Sequence, residues 1–126
     1  MNSTQMLKGI LQGCLLAIIS EEEIYGYEMV KKLKKYGFDM VSEGSIYPLL
    51  IRMKKEDLVT TITKTSASGP KRKYYLITDK GREQLLSFIK DWENLSLCVD
   101  NLLKNNRNLQ GRWFIWVYQK KEKNLY

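Results

Sequence analysis

The chain has 126 residues, of which 44% are hydrophobic, 28% charged and only 2 proline, a balance that fits one domain with one core plus an extension and excludes a disordered tail. The absence of histidine removes imidazole relays, imidazole metal ligands and any histidine pH switch, and Cys14 and Cys98, 84 positions apart, form no Cys-x-x-Cys pair. Each cysteine reads as a small core hydrophobe in a reducing cytoplasm, and neither a cofactor nor a metal is expected. The uncharged window Gly9 to Ser20 is too short to cross a bilayer, and no leader-like pattern precedes it, so a soluble, unprocessed chain without a membrane partner is expected.

The net charge of +7 is unevenly spread. Residues 1–30 carry four acids and one lysine (−3), 31–90 fourteen bases and six acids (+8), 91–103 three acids and no base (−3), and 104–126 six bases and one acid (+5). A block of +8 over sixty residues points to a surface for a polyanion on one part of the fold.

From Thr4 to Ile19, Leu7, Ile10, Leu11, Cys14, Leu15 and Ile18 recur at helical steps and predict a first amphipathic helix. A second opens at Tyr25-Gly26-Tyr27-Glu28 and runs to Tyr36, with Gly37 placed for a left-handed cap. A third lies between Ser45 and Glu56, with Ile46, Leu49, Leu50 and Met53 as its buried stripe. Pro48 favours Ser45 as the N-cap, because it then occupies the third helical position and no intrahelical bond is lost; Ser42 as cap would sacrifice one.

Leu58 to Lys64 and Lys71 to Ile77 carry strand chemistry around the turn composition of residues 65–70, predicting a β-hairpin with a basic second strand. In that strand Lys71, Lys73, Tyr75 and Ile77 share one face and Arg72, Tyr74 and Leu76 the other, so one of the two tyrosines faces the core. Thr78 caps a long helix whose residues Leu85, Phe88, Ile89, Trp92, Leu95, Val99, Leu102 and Leu103 form a wide apolar face. Either that face packs on a second copy of the chain or it folds back onto its own domain. Past Asn105 the helical pattern is expected to stop. The aromatic run Trp113 to Tyr118 then docks, forms a strand or is an extension without a role.

Helix, helix, helix, basic hairpin, long helix is the order of a winged helix-turn-helix with a C-terminal dimerisation helix: mainly α with a small β-hairpin. Divided accordingly, 1–78 is the DNA-binding domain, 79–104 the dimerisation helix and 105–126 a basic aromatic tail. Opposite the buried stripe of the third helix lie Gly44, Tyr47, Pro48, Ile51 and Lys55. Tyr47 could reach a phosphate or base edge there, and Ile51 a thymine methyl.

The sequence resembles the short forms of the PadR-like transcriptional regulators. The resemblance rests on Ile24-Tyr25-Gly26-Tyr27-Glu28, on Glu43 to Leu50 leading to Arg52-Met53, on Arg72 to Thr78 with Lys80-Gly81-Arg82, and on Trp92, all in family order over about residues 5–103. It implies a dimeric bacterial repressor that binds an inverted-repeat DNA operator and releases it on a signal. It further implies that Glu43, Gly44, Ser45 and Tyr47 begin the recognition helix, that Tyr27 braces that helix, and that Lys64, Lys71, Arg72 and Lys73 form the wing.

Trp92 looks like the tryptophan that stacks on planar, often cationic drugs in multidrug-responsive members; the alternative is a tryptophan packed in the dimer seam. Where one such drug-binding member has an acidic residue, this sequence has Ser96, which leaves the ligand class open. A competing function is a ligand-binding or protein-interaction module that does not read DNA, against which the basic wing argues. Catalysis is not expected: the clustered carboxylates Glu21 to Glu23 and Glu56-Asp57 sit at helix ends, where solvation explains them.

Overall fold

The computed structural model describes residues 3–65 and 69–124, and divides into two compact units, Met1–Ile89 and Lys90–Tyr126. In chain order the elements are α1 (Ser3–Lys8), α2 (Leu11–Glu21), β1 (Ile24–Tyr25), α3 (Gly26–Lys35), α4 (Glu43–Lys55), β2 (Val59–Thr65), β3 (Lys71–Ile77) and α5 (Asp79–Asn124). The architecture is the expected mainly helical winged helix, with one addition. The hairpin of β2 and β3 becomes a three-stranded antiparallel sheet in the order β1-β3-β2, because Ile24 and Tyr25 pair with Tyr75 and Tyr74. Residues 66–68 of the predicted turn lie outside the described residues.

The first unit closes around fully buried Leu15, Leu16 and Ile19 of α2, Ile24 of β1, Met29 and Leu33 of α3, and Ile46, Leu50 and Met53 of α4. Leu15, Ile46, Leu50 and Met53 are among the residues that the helical period places inward, whereas Leu16, Ile19 and Met29 lie outside the predicted stripes and Ile24 belongs to a strand; among the described residues no polar or charged side chain is buried with them. Leu85 is buried in the same core, and Phe88 packs against it over Gly13, where any side chain would collide with the Phe88 ring.

Both helices of the central pair end in the same way. After α3, Phe38 N–H donates to the Leu33 carbonyl and Gly37 N–H to the Lys34 carbonyl, with Gly37 at φ +99°. After α4, Leu58 and Asp57 make the equivalent bonds to Met53 and Lys54, although the left-handed position, φ 59°, is held by Asp57. Two such closures reverse the chain sharply and satisfy carbonyls that would otherwise be orphaned.

Three expectations are corrected. The predicted first helix is broken at Gly9 and Ile10 into α1 and α2, consistent with glycine's low helical propensity. The N-cap of α4 is Ser42, not Ser45: Ser42 Oγ accepts from the Ser45 N–H at 3.3 Å while Ser45 Oγ accepts from the Ser42 N–H at 2.9 Å. This reciprocal box satisfies two donors and outweighs the one backbone bond that Pro48 forgoes inside the helix. Finally, the helix does not stop near residue 105. Its backbone continues to Asn124 in a 46-residue α5, since asparagine costs only tenths of a kcal/mol per position and no proline intervenes.

Candidate nucleic-acid interface

Within the first unit, several exposed groups that concern a polyanion line two adjoining depressions between α4 and β3. The capping box holds the first turn of α4, with Glu43 half-buried there and Gly44 and Ser45 exposed; the Ser45 hydroxyl is already engaged with Ser42. One turn on, Tyr47 lays its ring over Gly26 at the start of α3, while Ile51 stands 57% exposed beyond it. Gly26 makes this possible, for a Cβ there would lie 2.7 Å from the Tyr47 hydroxyl.

Between α4 and β3 is a cleft of about 360 Å³ lined by Tyr25, Gly26, Tyr47, Ile51, Lys71, Arg72, Lys73 and Tyr75. Strand alternation decides its chemistry: Tyr75 turns into the core and Lys71 and Lys73 stand along the same face. A second depression beside it, of similar volume, adds Lys54 and Lys55. Burial pushes the Tyr47 phenol pKa up, assisted by the charge of Glu43, so the hydroxyl stays a neutral donor and acceptor at physiological pH. Burial, followed by the influence of Tyr47, does the same for Tyr75.

The basic wing residues divide into two kinds. Arg72 folds back: its Nη1 donates to the Tyr25 hydroxyl at 2.9 Å and its guanidinium stands 4.6 Å from the centre of the same ring. Tyr25 meets Tyr74 edge-on at 5.4 Å, and Lys64 lies 5.0 Å over Tyr74 while ion-pairing with Glu23. Arg72 and Lys64 are therefore held in a cation and aromatic ladder that locks the hairpin to β1. Lys71 and Lys73, by contrast, are exposed and have no ion-pair partner among the described residues. Sequence reasoning missed the ladder because Glu23 and Tyr25 lie some 40 or more positions from Lys64 and Arg72. Their one local signal was Tyr25 next to Gly26.

Tyr27 is exposed on α3, with Lys31 5.5 Å from its ring centre. Lys32 is tied to Glu22 at 2.8 Å and Glu21 at 3.5 Å; the hydrogen bond to Lys32 lowers the Glu22 carboxyl and raises the Lys32 amine. Among the described residues no cluster of His, Cys, Asp or Glu could hold a metal, and no helix is long and apolar enough to cross a membrane.

A model described as the transcriptional regulator PadR-like family matches residues 15–87, more than half of the sequence. The chain belongs to this family. The crystal structure of a PadR-like transcriptional regulator from Bacillus cereus is 63% identical, covers 79% of this chain and 96% of its own, and superposes with a TM-score of 0.73. A Streptococcus transcriptional regulator is 40% identical over 78% of this chain and 96% of its own, with a TM-score of 0.70. Bacillus subtilis PadR, solved in complex with operator DNA, shares the fold at 24% identity and a TM-score of 0.58, covering 64% of this chain and 46% of its own. Family and neighbours are regulators, not enzymes.

Within this PadR-like chain the residues expected at a dimer interface fall into two groups. Leu85 and Phe88 pack into the first unit, whereas Ile89 is exposed at its edge. In the second unit Trp92, Leu95, Val99, Leu102 and Leu103 are all exposed. Ser96 is half-buried and its hydroxyl donates to the Glu93 carbonyl at 3.2 Å.

Proposed function

We propose that the chain is a dimeric, sequence-specific DNA-binding repressor of the cytoplasm, released from an inverted-repeat operator by a small-molecule effector or another signal. The observation that carries this reading is the pairing, across one 360 Å³ cleft, of Tyr47 and Ile51 on α4 with Lys71 and Lys73 on β3. An exposed isoleucine beside a neutral phenol reads base edges and thymine methyls, and two ammonium groups without carboxylate partners among the described residues meet phosphates. Membership of a regulator family and the operator complex of Bacillus subtilis PadR support it.

In this reading residues 1–78 bind DNA, 79–104 pair with a second copy, and 105–126 extend that pairing helix. Glu43, Gly44 and Ser45 set the start of the recognition helix, Tyr27 and Lys55 flank it on the backbone, and Arg72 and Lys64 position the wing. Trp92, 46% exposed, with Ser96 one turn on, offers a flat face to a planar aromatic or cationic effector.

The test is binding of the purified chain to its own promoter fragment and to random duplex. Preference for the promoter, lost in Tyr47→Ala but retained in Lys71→Ala with weaker binding to both duplexes, is the expected pattern. Equal affinity of the unaltered chain for both duplexes refutes the reading.

A further inference from the structure

The acidic run Glu21 to Glu23 has no part in the DNA-reading cleft, and all three carboxylates are engaged inside the first unit. Glu21 and Glu22 hold Lys32 of α3 at 3.5 and 2.8 Å. Glu23, the residue before β1, reaches across the whole sheet. It pairs with Lys64 of β2, whose ammonium lies 5.0 Å over the ring of Tyr74 on β3, the strand between them. The Lys64 and Glu23 side chains are only 46% and 34% exposed, so salt screens this pair less than one on open surface.

Lys64 is well placed for another acceptor. It stands one residue from the end of β2, at the turn end of the hairpin, and its cross-strand neighbour is Arg72. By strand alternation these two share the sheet face opposite Lys71 and Lys73, yet Arg72 lines the cleft between α4 and β3. A long cation at this end of the hairpin thus reaches the rim of the cleft, and Lys64 has a flexible four-carbon stem and three donors with which to do so. What holds it back is a carboxylate, an anionic oxygen acceptor as a phosphate is.

We propose that Glu23 is an internal stand-in for a DNA phosphate, which occupies Lys64 and so limits how tightly the wing grips any duplex. This rests on the DNA-binding reading above and adds to it a positioning residue that acts through Lys64. A phosphate contact adds affinity without sequence information, so each further wing cation strengthens binding to operator and non-cognate sites alike. Withholding one leaves Tyr47 and Ile51 a larger share of the binding energy. It also makes the bound complex easier for a signal to undo.

The test is a double-mutant cycle in the full chain, read as the salt dependence of binding to a random duplex and to the promoter fragment. Glu23→Gln should steepen the slope of log affinity against log salt by about 0.9 for each copy bound, and tighten binding to both duplexes by about 8-fold per copy at about 0.1 M salt. Lys64→Gln should leave the slope unchanged in the native background and remove the whole gain in the Glu23→Gln background. Glu23→Lys with Lys64→Glu, which rebuilds the pair in reverse, should return the original slope. A fall in affinity with an unchanged slope in Glu23→Gln makes Glu23 a structural strut and overturns the proposal. So does a slope in Lys64→Gln that drops as far as in Lys71→Ala, since Lys64 would then already be on the DNA. A gain in Glu23→Gln that survives Lys64→Gln overturns it too, as an effect of net charge alone. Equal affinity of the unaltered chain for the two duplexes, with a steeper slope in Glu23→Gln, refutes the operator reading and keeps the stand-in. A chain that binds neither duplex overturns both.

Discussion

Gly26→Ala isolates the recognition geometry from the stability of the fold. The added Cβ would sit 2.7 Å from Tyr47 Oη, 2.9 Å from Cζ and 3.1 Å from Cε1, against an ordinary contact of about 3.5 Å. The ring lies at the end of a flexible, 40% exposed side chain, so it swings away by several tenths of an ångström and the backbone stays. Displacement costs about 1 kcal/mol, and alanine's helical advantage over glycine returns about 0.5–1 kcal/mol. Net stability therefore changes by less than about 1 kcal/mol, a melting shift of no more than about 8 °C. A phenol moved off its position in the cleft loses about 1.4 kcal/mol of hydrogen bonding to DNA, a tenfold fall in operator affinity. Fluorescence anisotropy with labelled promoter and scrambled duplexes, beside a thermal melt, reads both quantities. Unchanged promoter affinity, or an equal loss on both duplexes, refutes the reasoning. So does a further loss when Gly26→Ala is added to Tyr47→Ala, since the ring through which it acts is then absent.

Lys71→Ala and Lys73→Ala should each weaken binding to any duplex and reduce the slope of log affinity against log salt by about 1, measured by titration at several salt concentrations. Gly81→Ala should be severe, because its Cβ would overlap the Leu58 carbonyl oxygen and lie 2.8 Å from Ile77 Cγ1; a loss of about 2–4 kcal/mol should appear in urea unfolding. Ser42→Ala removes half of the capping box on α4 and should cost about 1 kcal/mol in the same assay. Tyr47 and Tyr75 should ionise at higher pH than free tyrosine in an alkaline spectrophotometric titration. Since folding raises both pKa values it favours the protonated phenols, so their contribution is complete below the ordinary tyrosine value and lost as pH rises through the folded values.

Periodicity exposed α3, α4 and the buried stripe of α4 in the first unit, because Ile46, Leu50 and Met53 obey a local rule, but it ran α1 and α2 together as one helix. What stayed hidden depended on partners distant in sequence or on competing local costs. Two residues, Ile24 and Tyr25, are too few to show an alternation, and they become a strand only because β3 offers them an edge. Pro48 taken alone favours Ser45 as the cap, but two serines three apart satisfy each other's donors and move the cap to Ser42. The wing was legible as four basic residues. Which of them are available was not, since Glu23 and Tyr25 engage Lys64 and Arg72 through the fold and leave Lys71 and Lys73.

The central place of β3 limits how the proposed release from DNA could work. It is hydrogen-bonded on both sides, to β1 at Ile24 and Tyr25 and to β2 from Val59 to Thr65, and β1 runs without a break into α3. The wing is thus the middle plank of a floor on which the recognition helix also stands. Folding it away would break the pairing that carries Gly26 and hence the seat of Tyr47, dismantling the reading head together with the grip. A change in the distance between the two protomers of the proposed dimer would break none of those bonds. In the proposed dimer on a two-fold operator, that route would release DNA at far lower cost, because each half-site would keep a well-formed reader that no longer fits the spacing.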